Sequence, residues 1–163
     1  MVDPYTVELV DPRGLSEADF VAFLSVVTAG NAVDPCSARE QIPQATALAI
    51  AKVSDQVVGV GAIKANTQER WDYAAGQARK AMHAFDLKTL ELGYVAVVAE
   101  HRRKDLSRRL VACLLARYQG PLFATTSSNG MIKTLEWAKF TRYGQQWESE
   151  RSPYPMLSLW LKN

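Results

Sequence analysis

The chain of 163 residues has the length of one domain with room for a real core, and 48% hydrophobic with 22% charged residues is an ordinary globular composition. A net charge of +2 and a pI of about 8.6 are too mild to argue for a nucleic-acid binder. Cys36 and Cys113 stand far apart and outside any Cys-x-x-Cys pair, which disfavours metal and redox chemistry. The N-terminus shows no basic region followed by a long apolar core, and no later run is apolar enough to span a bilayer, so a cytoplasmic location is expected.

In chain order, Tyr5 to Val10 reads as a first strand, followed by a turn at Asp11-Pro12-Arg13-Gly14. Ser16 can cap a helix with Glu17 and Asp19 in its first turn and Phe20, Phe23, Leu24 and Val27 on one face, stopped by Gly30-Asn31. Cys36 to Ile42 reads as a short second helix ended by Pro43. Ala45 to Val53 and Gln56 to Lys64 form a hairpin about Ser54-Asp55. Gly59 and Gly61 weaken the second of these strands and mark a bulge or a close packing contact.

Residues 65–88 then interrupt the strands. Arg70 to Phe85 is alanine-rich and reads as a helical insert whose rings Trp71, Tyr73, His83 and Phe85 pack it against the sheet. Beyond the central segment described next, Pro121 to Thr126 is a strand and Ser127-Ser128-Asn129 a helix cap. Met131, Leu135 and Ala138 continue on one helix face to Phe140. Tyr143 to Glu148 and Met156 to Leu161 close the chain as strands, joined through Ser152-Pro153-Tyr154-Pro155.

The rest is organised around Leu90 to Tyr118. It begins as LELGYVAVV, a run suited to a strand buried on both faces. It ends with Leu106, Leu110, Leu114 and Tyr118 at the spacing of one helix face, with Cys113 as a small core residue. Arg102, Arg103, Lys104, Arg108 and Arg109 crowd the turn between. Cations at a helix N-terminus oppose the macrodipole by roughly 0.3–1 kcal/mol each at low salt, and a bound anion reverses that sign. A strand that turns into a helix also aims free N–H groups at the space above the strand, a geometry that binds phosphate. The alternative is a solvated basic face.

This segment resembles motif A of the Gcn5-related N-acetyltransferase (GNAT) family, a strand, an Arg/Gln-x-x-Gly-x-Gly/Ala loop and a helix. The loop here is Arg102-Arg103-Lys104-Asp105-Leu106-Ser107, with Asp105 at a glycine position and Ser107 at a glycine or alanine position. Ser128, Met131 and Lys139-Phe140 resemble the family's later helix, with Asn129 one residue out of step. The resemblance implies one α/β (α+β) acetyltransferase-like domain over residues 1–163, a mixed sheet of about seven strands flanked by helices, with the insert near the acceptor site.

The same resemblance implies acetyl-CoA as cosubstrate and no metal. Its pyrophosphate would lie on the N–H groups of Arg103, Lys104, Asp105, Leu106 and Ser107, beside Arg102. Its pantetheine would add along Val95 and Val97 as an extra strand, with an N–H near Val95 for the thioester oxygen, and Ser128 and Asn129 complete the cofactor site. Asp105, as an N-cap, would compete with the pyrophosphate for first-turn N–H groups.

Glu91, four residues before Val95, is expected to share its face and to act as general base through water, a structural glutamate being the alternative. His83 is the other titratable group near the acceptor side. The family's proton-donating tyrosine falls at Leu135, so either Tyr143 or Ser128 substitutes as the acid or the thiolate leaves unassisted. The expected acceptor is a small-molecule or protein amine; membrane and nucleic-acid partners are not expected, and a homodimer is left open. An N-acetyltransferase, a catalytically degenerate acyl-CoA-binding regulatory module and, last, a nucleic-acid binder are the readings to separate.

Overall fold

The fold is that of a computed structural model, which describes residues 2–29, 33–65, 67–79, 89–150 and 156–163. Its strands are β1 (Tyr5–Val10), β2 (Ala47–Val53), β3 (Gln56–Lys64), β4 (Leu90–Val97), β5 (Leu122–Thr126), β6 (Thr141–Glu148) and β7 (Met156–Lys162). They form one seven-stranded sheet in the order β1-β2-β3-β4-β5-β7-β6. Every pair is antiparallel except β4 with β5. The helices are α1 (Glu17–Thr28), α2 (Pro35–Gln41), α3 (Gln68–Ala78), α4 (Leu106–Arg117) and α5 (Asn129–Trp137). The expected mixed sheet flanked by helices is thus found.

Local chemistry accounts for the element ends. Ser16 accepts from Asp19 N–H, Asp34 from Ser37 N–H and Ser128 from Met131 N–H, each satisfying an orphan donor of a first helical turn. The second helix starts one residue earlier than expected because Asp34 caps it and Pro35 suits the first helical position. Ser54 and Asp55 both take positive φ, 49° and 65°, as a two-residue hairpin turn requires. Gly30-Asn31, His83, Phe85 and the loop Ser152-Pro153-Tyr154-Pro155 lie outside the described residues.

Two cores sandwich the sheet. On one face Leu106, Leu110, Val111 and Leu114 of α4 and Leu135 of α5 pack with Ala47, Ala49, Ala51, Val58, Ile63 and Leu92. The three alanines of β2 and the glycines of β3 leave room for α4. A Cβ on Gly59 would meet Leu110 Cδ1 at 3.2 Å, and one on Gly61 would meet Leu114 Cδ1 at 3.1 Å. Gly61 also sits at a bulge, so both alternatives weighed for these glycines apply. Cys113 is half-buried against this core, and burial, then the charge of Glu8, pushes its thiol up.

On the other face Phe23, Val26 and Val27 of α1 and Ala38 of α2 pack with Leu48, Ile50, Val60 and Ala62. Farther along that face α3 covers β5, β6 and β7 with Trp71, Ala74, Ala75 and Ala78. The insert packs on the sheet as expected, but through Trp71, which lies edge-on to Phe123 with centroids 5.3 Å apart. Tyr73 is on the exposed side of α3.

Candidate active site

β4 is buried only at Glu91 and Leu92; Leu90 and Gly93 to Val97 are half-buried, against the expectation of a strand covered on both faces. The reason is its parallel neighbour. β5 pairs with β4 only at Leu90↔Leu122 and Glu91↔Phe123, and then the strands diverge. From Leu92 onward the β5-side edge of β4 carries no strand, which leaves a row of main-chain groups for an extended ligand. Val95 and Val97 lie along this opening, with side chains packed toward α4. The Val97 carbonyl accepts from Arg102 Nε at 3.2 Å.

The register of β3 against β4 shifts between Val60↔Ala96 and Ala62↔Gly93. Gly61 alone therefore opposes Tyr94 and Val95, a β-bulge, and Tyr94 takes φ 56°. The extra residue breaks the period-2 alternation. Val95 and Val97 face α4, whereas Tyr94 and Ala96 face α1 and α2. Glu91 points to that second face, beside Lys64 and Arg70. The expected common face of Glu91, Val95 and Val97 is corrected on this point: the bulge sits between them.

Past β4 the chain makes a single 3-10 turn, Ala99–His101, and enters the basic loop. Arg103 and Asp105 both adopt left-handed φ, 63° and 61°. Alternating left-handed residues before a helix turn successive N–H groups inward, forming a nest for an anion. Asp105 is the residue before α4 but makes no side-chain cap. Its exposed carboxylate lies 3.7 Å from Arg108 Nε, so the expected capping competition with an anion does not occur. The positive φ supplies the physical reason a glycine suits this position, and aspartate is among the residues that tolerate it.

The cations of the loop divide by role. Arg109 is held by Asp3 at 2.7 Å and by the Tyr5 carbonyl at 3.2 Å, which ties α4 to β1. Arg108 stacks on the half-exposed ring of Trp137, 5.7 Å from its centroid. Arg103 and Lys104 are exposed and have no hydrogen-bond or ion-pair partner among the described residues. Free N–H groups, two left-handed residues and two uncommitted cations fit the diphosphate of acetyl-CoA. Arg102 to Ser107 would hold it, and bound there it would supply an activated thioester carbonyl in the opening between β4 and β5. Ser128 and Asn129 head α5 just after β5, with Ser128 N–H donating to Thr126 Oγ1 at 3.0 Å.

On the other face Glu91 is 4% exposed. Its Oε2 lies 3.5 Å from Lys64 Nζ and its Oε1 lies 3.8 Å from Arg70 Nε. Oε2 has no hydrogen-bond partner among the described residues. Lys64 also sits 4.4 Å above the Tyr94 ring, and Arg70 donates to Thr125 Oγ1 at 2.9 Å. Burial, then the charge of Glu91, pushes the Tyr94 phenol up to about 12. The phenol is therefore a neutral donor at physiological pH, and it donates to Gln41 Oε1 at 3.0 Å.

Lys64, Arg70 and Tyr94 were not singled out from sequence. Lys64 meets Glu91 through the antiparallel register, and Arg70 through the seat of α3 on β5; neither has a local signal. Tyr143 is half-buried on β6 against Trp71, 6.4 Å between centroids, with β7 between it and β5. The structure therefore does not bring it to Val95. Leu135 is wholly buried in the α4 core and offers no proton. His83 lies outside the described residues. Among the described residues no group of acidic, histidine or cysteine side chains could hold a metal, and no helix is long and apolar enough to cross a membrane.

No family model matches the chain, and no curated protein matches it. Solved structures do. The acetyltransferase of the GNAT family from Streptococcus pneumoniae superposes with a TM-score of 0.66 at 14% identity, over 97% of this chain and 98% of that one. YncA from Salmonella typhimurium, in a structure with its cofactor acetyl-CoA, gives 0.64 at 14% identity over 99% and 94%. The ribosomal-protein-alanine N-acetyltransferase from Brucella melitensis gives 0.67 at 17% identity over 96% and 98%. The chain has the GNAT fold over nearly its whole length.

Proposed function

We propose, on the premise of the GNAT fold, that this chain is an N-acetyltransferase that moves an acetyl group from acetyl-CoA to a primary amine by direct attack. The observation that carries the reading is the divergence of β4 and β5 directly beside the left-handed, cationic loop at Arg103 and Asp105. Main-chain groups of β4 grip an extended arm, and the nest grips the diphosphate at its far end.

The chain's own residues divide the remaining work. Glu91 is the base: its buried carboxylate, held between Lys64 and Arg70, takes a proton from the ammonium, through water, so that the neutral amine attacks. An N–H beside the bulge at Val95 stabilises the oxyanion. No phenol stands at Leu135, so the thiolate leaves unassisted or through solvent, which a thiolate tolerates. Leu135 is also what favours the second reading, an acyl-CoA-binding regulatory module that has lost turnover.

Calorimetry and thermal unfolding with acetyl-CoA, followed by release of free thiol in the presence of amines, test the proposal. A ligand of the folded state at 100 times its dissociation constant adds about 2.7 kcal/mol. Binding with thiol release supports the enzyme; binding without it, across a broad amine panel, supports the regulatory module; absence of binding rejects both.

A further inference from the structure

The face of β4 turned away from α4 carries a built polar site. Glu91 is almost wholly buried, yet its two cations stand at 3.5 and 3.8 Å, longer than the roughly 2.7–2.9 Å of a charge-assisted hydrogen bond. Its buried Oε2 has no hydrogen bond among the described residues. Burying a carboxylate this way costs several kcal/mol, so the arrangement is a poor stabilising device.

The backbone is adapted to the arrangement. A Cβ on Gly93 would lie 2.8 Å from Lys64 Cδ and 3.5 Å from Glu91 Oε1. Gly93 thus lets the lysine stem cross β4 between Glu91 and the Tyr94 ring. Arg70, from the insert, is braced by Thr125 on β5. The formal charge of Glu91, Lys64 and Arg70 together is +1. Asp34, the next carboxylate to act on Tyr94, is exposed and engaged by Ser37 N–H.

We infer that the acceptor is a small zwitterion, an amine with a carboxylate on a neighbouring carbon, as in an α-amino acid. This rests on the acetyltransferase reading above. The ammonium gives up its proton, through water, to the Glu91 carboxylate. The acceptor carboxylate takes the surplus positive charge, using the N–H groups that Lys64 and Arg70 do not spend on Glu91 and Thr125. A diamine or the amine of a cationic peptide would instead bring positive charge against both cations. The insert helix α3, through Arg70, is the specificity element.

The test compares L-amino acids with their amides and with the amines left by decarboxylation. Free thiol is measured at fixed acetyl-CoA, in wild type, Arg70→Ala and Lys64→Met. The expected result is kcat/KM at least tenfold higher for the amino acids in wild type, with that ratio falling tenfold or more in either variant, chiefly through KM. If a variant does not fold, the wild-type ratio still decides. Amides or plain amines turning over as well as amino acids overturns the inference and leaves the acetyltransferase reading standing. Acetyl-CoA binding with no turnover of any amine, or no binding by calorimetry, overturns the inference together with the reading it rests on.

Discussion

Glu91 and Val95, four residues apart on β4, face opposite sides of the sheet, because Tyr94 between them bulges out of register at φ 56°. The bulge separates the two jobs of the strand. Its later residues line the opening beside α4, and its earlier carboxylate addresses the face under α1, α2 and α3.

Glu91→Gln removes the proposed base and keeps the shape. Turnover should fall about 10²–10⁴-fold. Acetyl-CoA affinity by calorimetry should hold, because the loop proposed to hold the diphosphate is on the far side of the bulge. Unchanged turnover near neutral pH would return Glu91 to a structural role.

The phenol of Tyr94 supplies a pH prediction with a definite sign. Its pKa goes from 10.0 to about 12 on folding, by burial first and Glu91 second. Between those values the folded chain keeps a proton that the unfolded chain has lost. Tyr94's contribution to stability is therefore fully present below 10 and is lost as pH rises toward 12. Denaturant titrations across this window should show a shallower alkaline loss in Tyr94→Phe than in wild type, and phenolate absorbance should lose a component that titrates at about 12.

Asp105 holds a left-handed backbone and pairs loosely with Arg108, so Asp105→Asn keeps the conformation and removes one negative charge beside the nest. Acetyl-CoA should bind more tightly by up to about 1 kcal/mol at low salt, with a smaller gain at higher salt. Lys104→Ala should weaken binding and flatten its salt dependence. Equal affinities for Asp105→Asn and wild type at low salt would move the diphosphate away from this turn.

Gly61→Val would push γ-methyls into Leu114, already 3.1 Å from the position of a Cβ. Overpacking should cost about 1–3 kcal/mol in denaturant unfolding. It should also weaken acetyl-CoA binding, since the loop proposed to hold the diphosphate leads into α4.

Lys139, at φ 71°, lies in the left-handed region just past the end of α5, a place that favours glycine. Lys139→Gly should stabilise the fold by roughly 0.5–1 kcal/mol, the relief of a left-handed side chain less the added freedom of the unfolded chain. Chemical denaturation at neutral pH measures it.

Sequence alone determined what depends on short range. The period of apolar residues marked β1 to its ends, and the leucines of α4 marked its buried face. Ser16 and the cluster Ser127-Ser128-Asn129 marked two helix starts because a cap bonds only two or three residues ahead. The strand, basic turn and helix of the central segment were legible for the same reason, each resting on local pattern.

Tertiary structure decided the rest. The bulge at Tyr94 needs β3 as its ruler; period-2 counting along β4 by itself puts Glu91 on the wrong face. The opening depends on β5 leaving β4 after two residue pairs, a property of neither strand alone. Lys64 and Arg70 reach Glu91 across the ladder and from the insert helix, since side-chain contact between distant segments follows from packing, which carries no local signature in either segment.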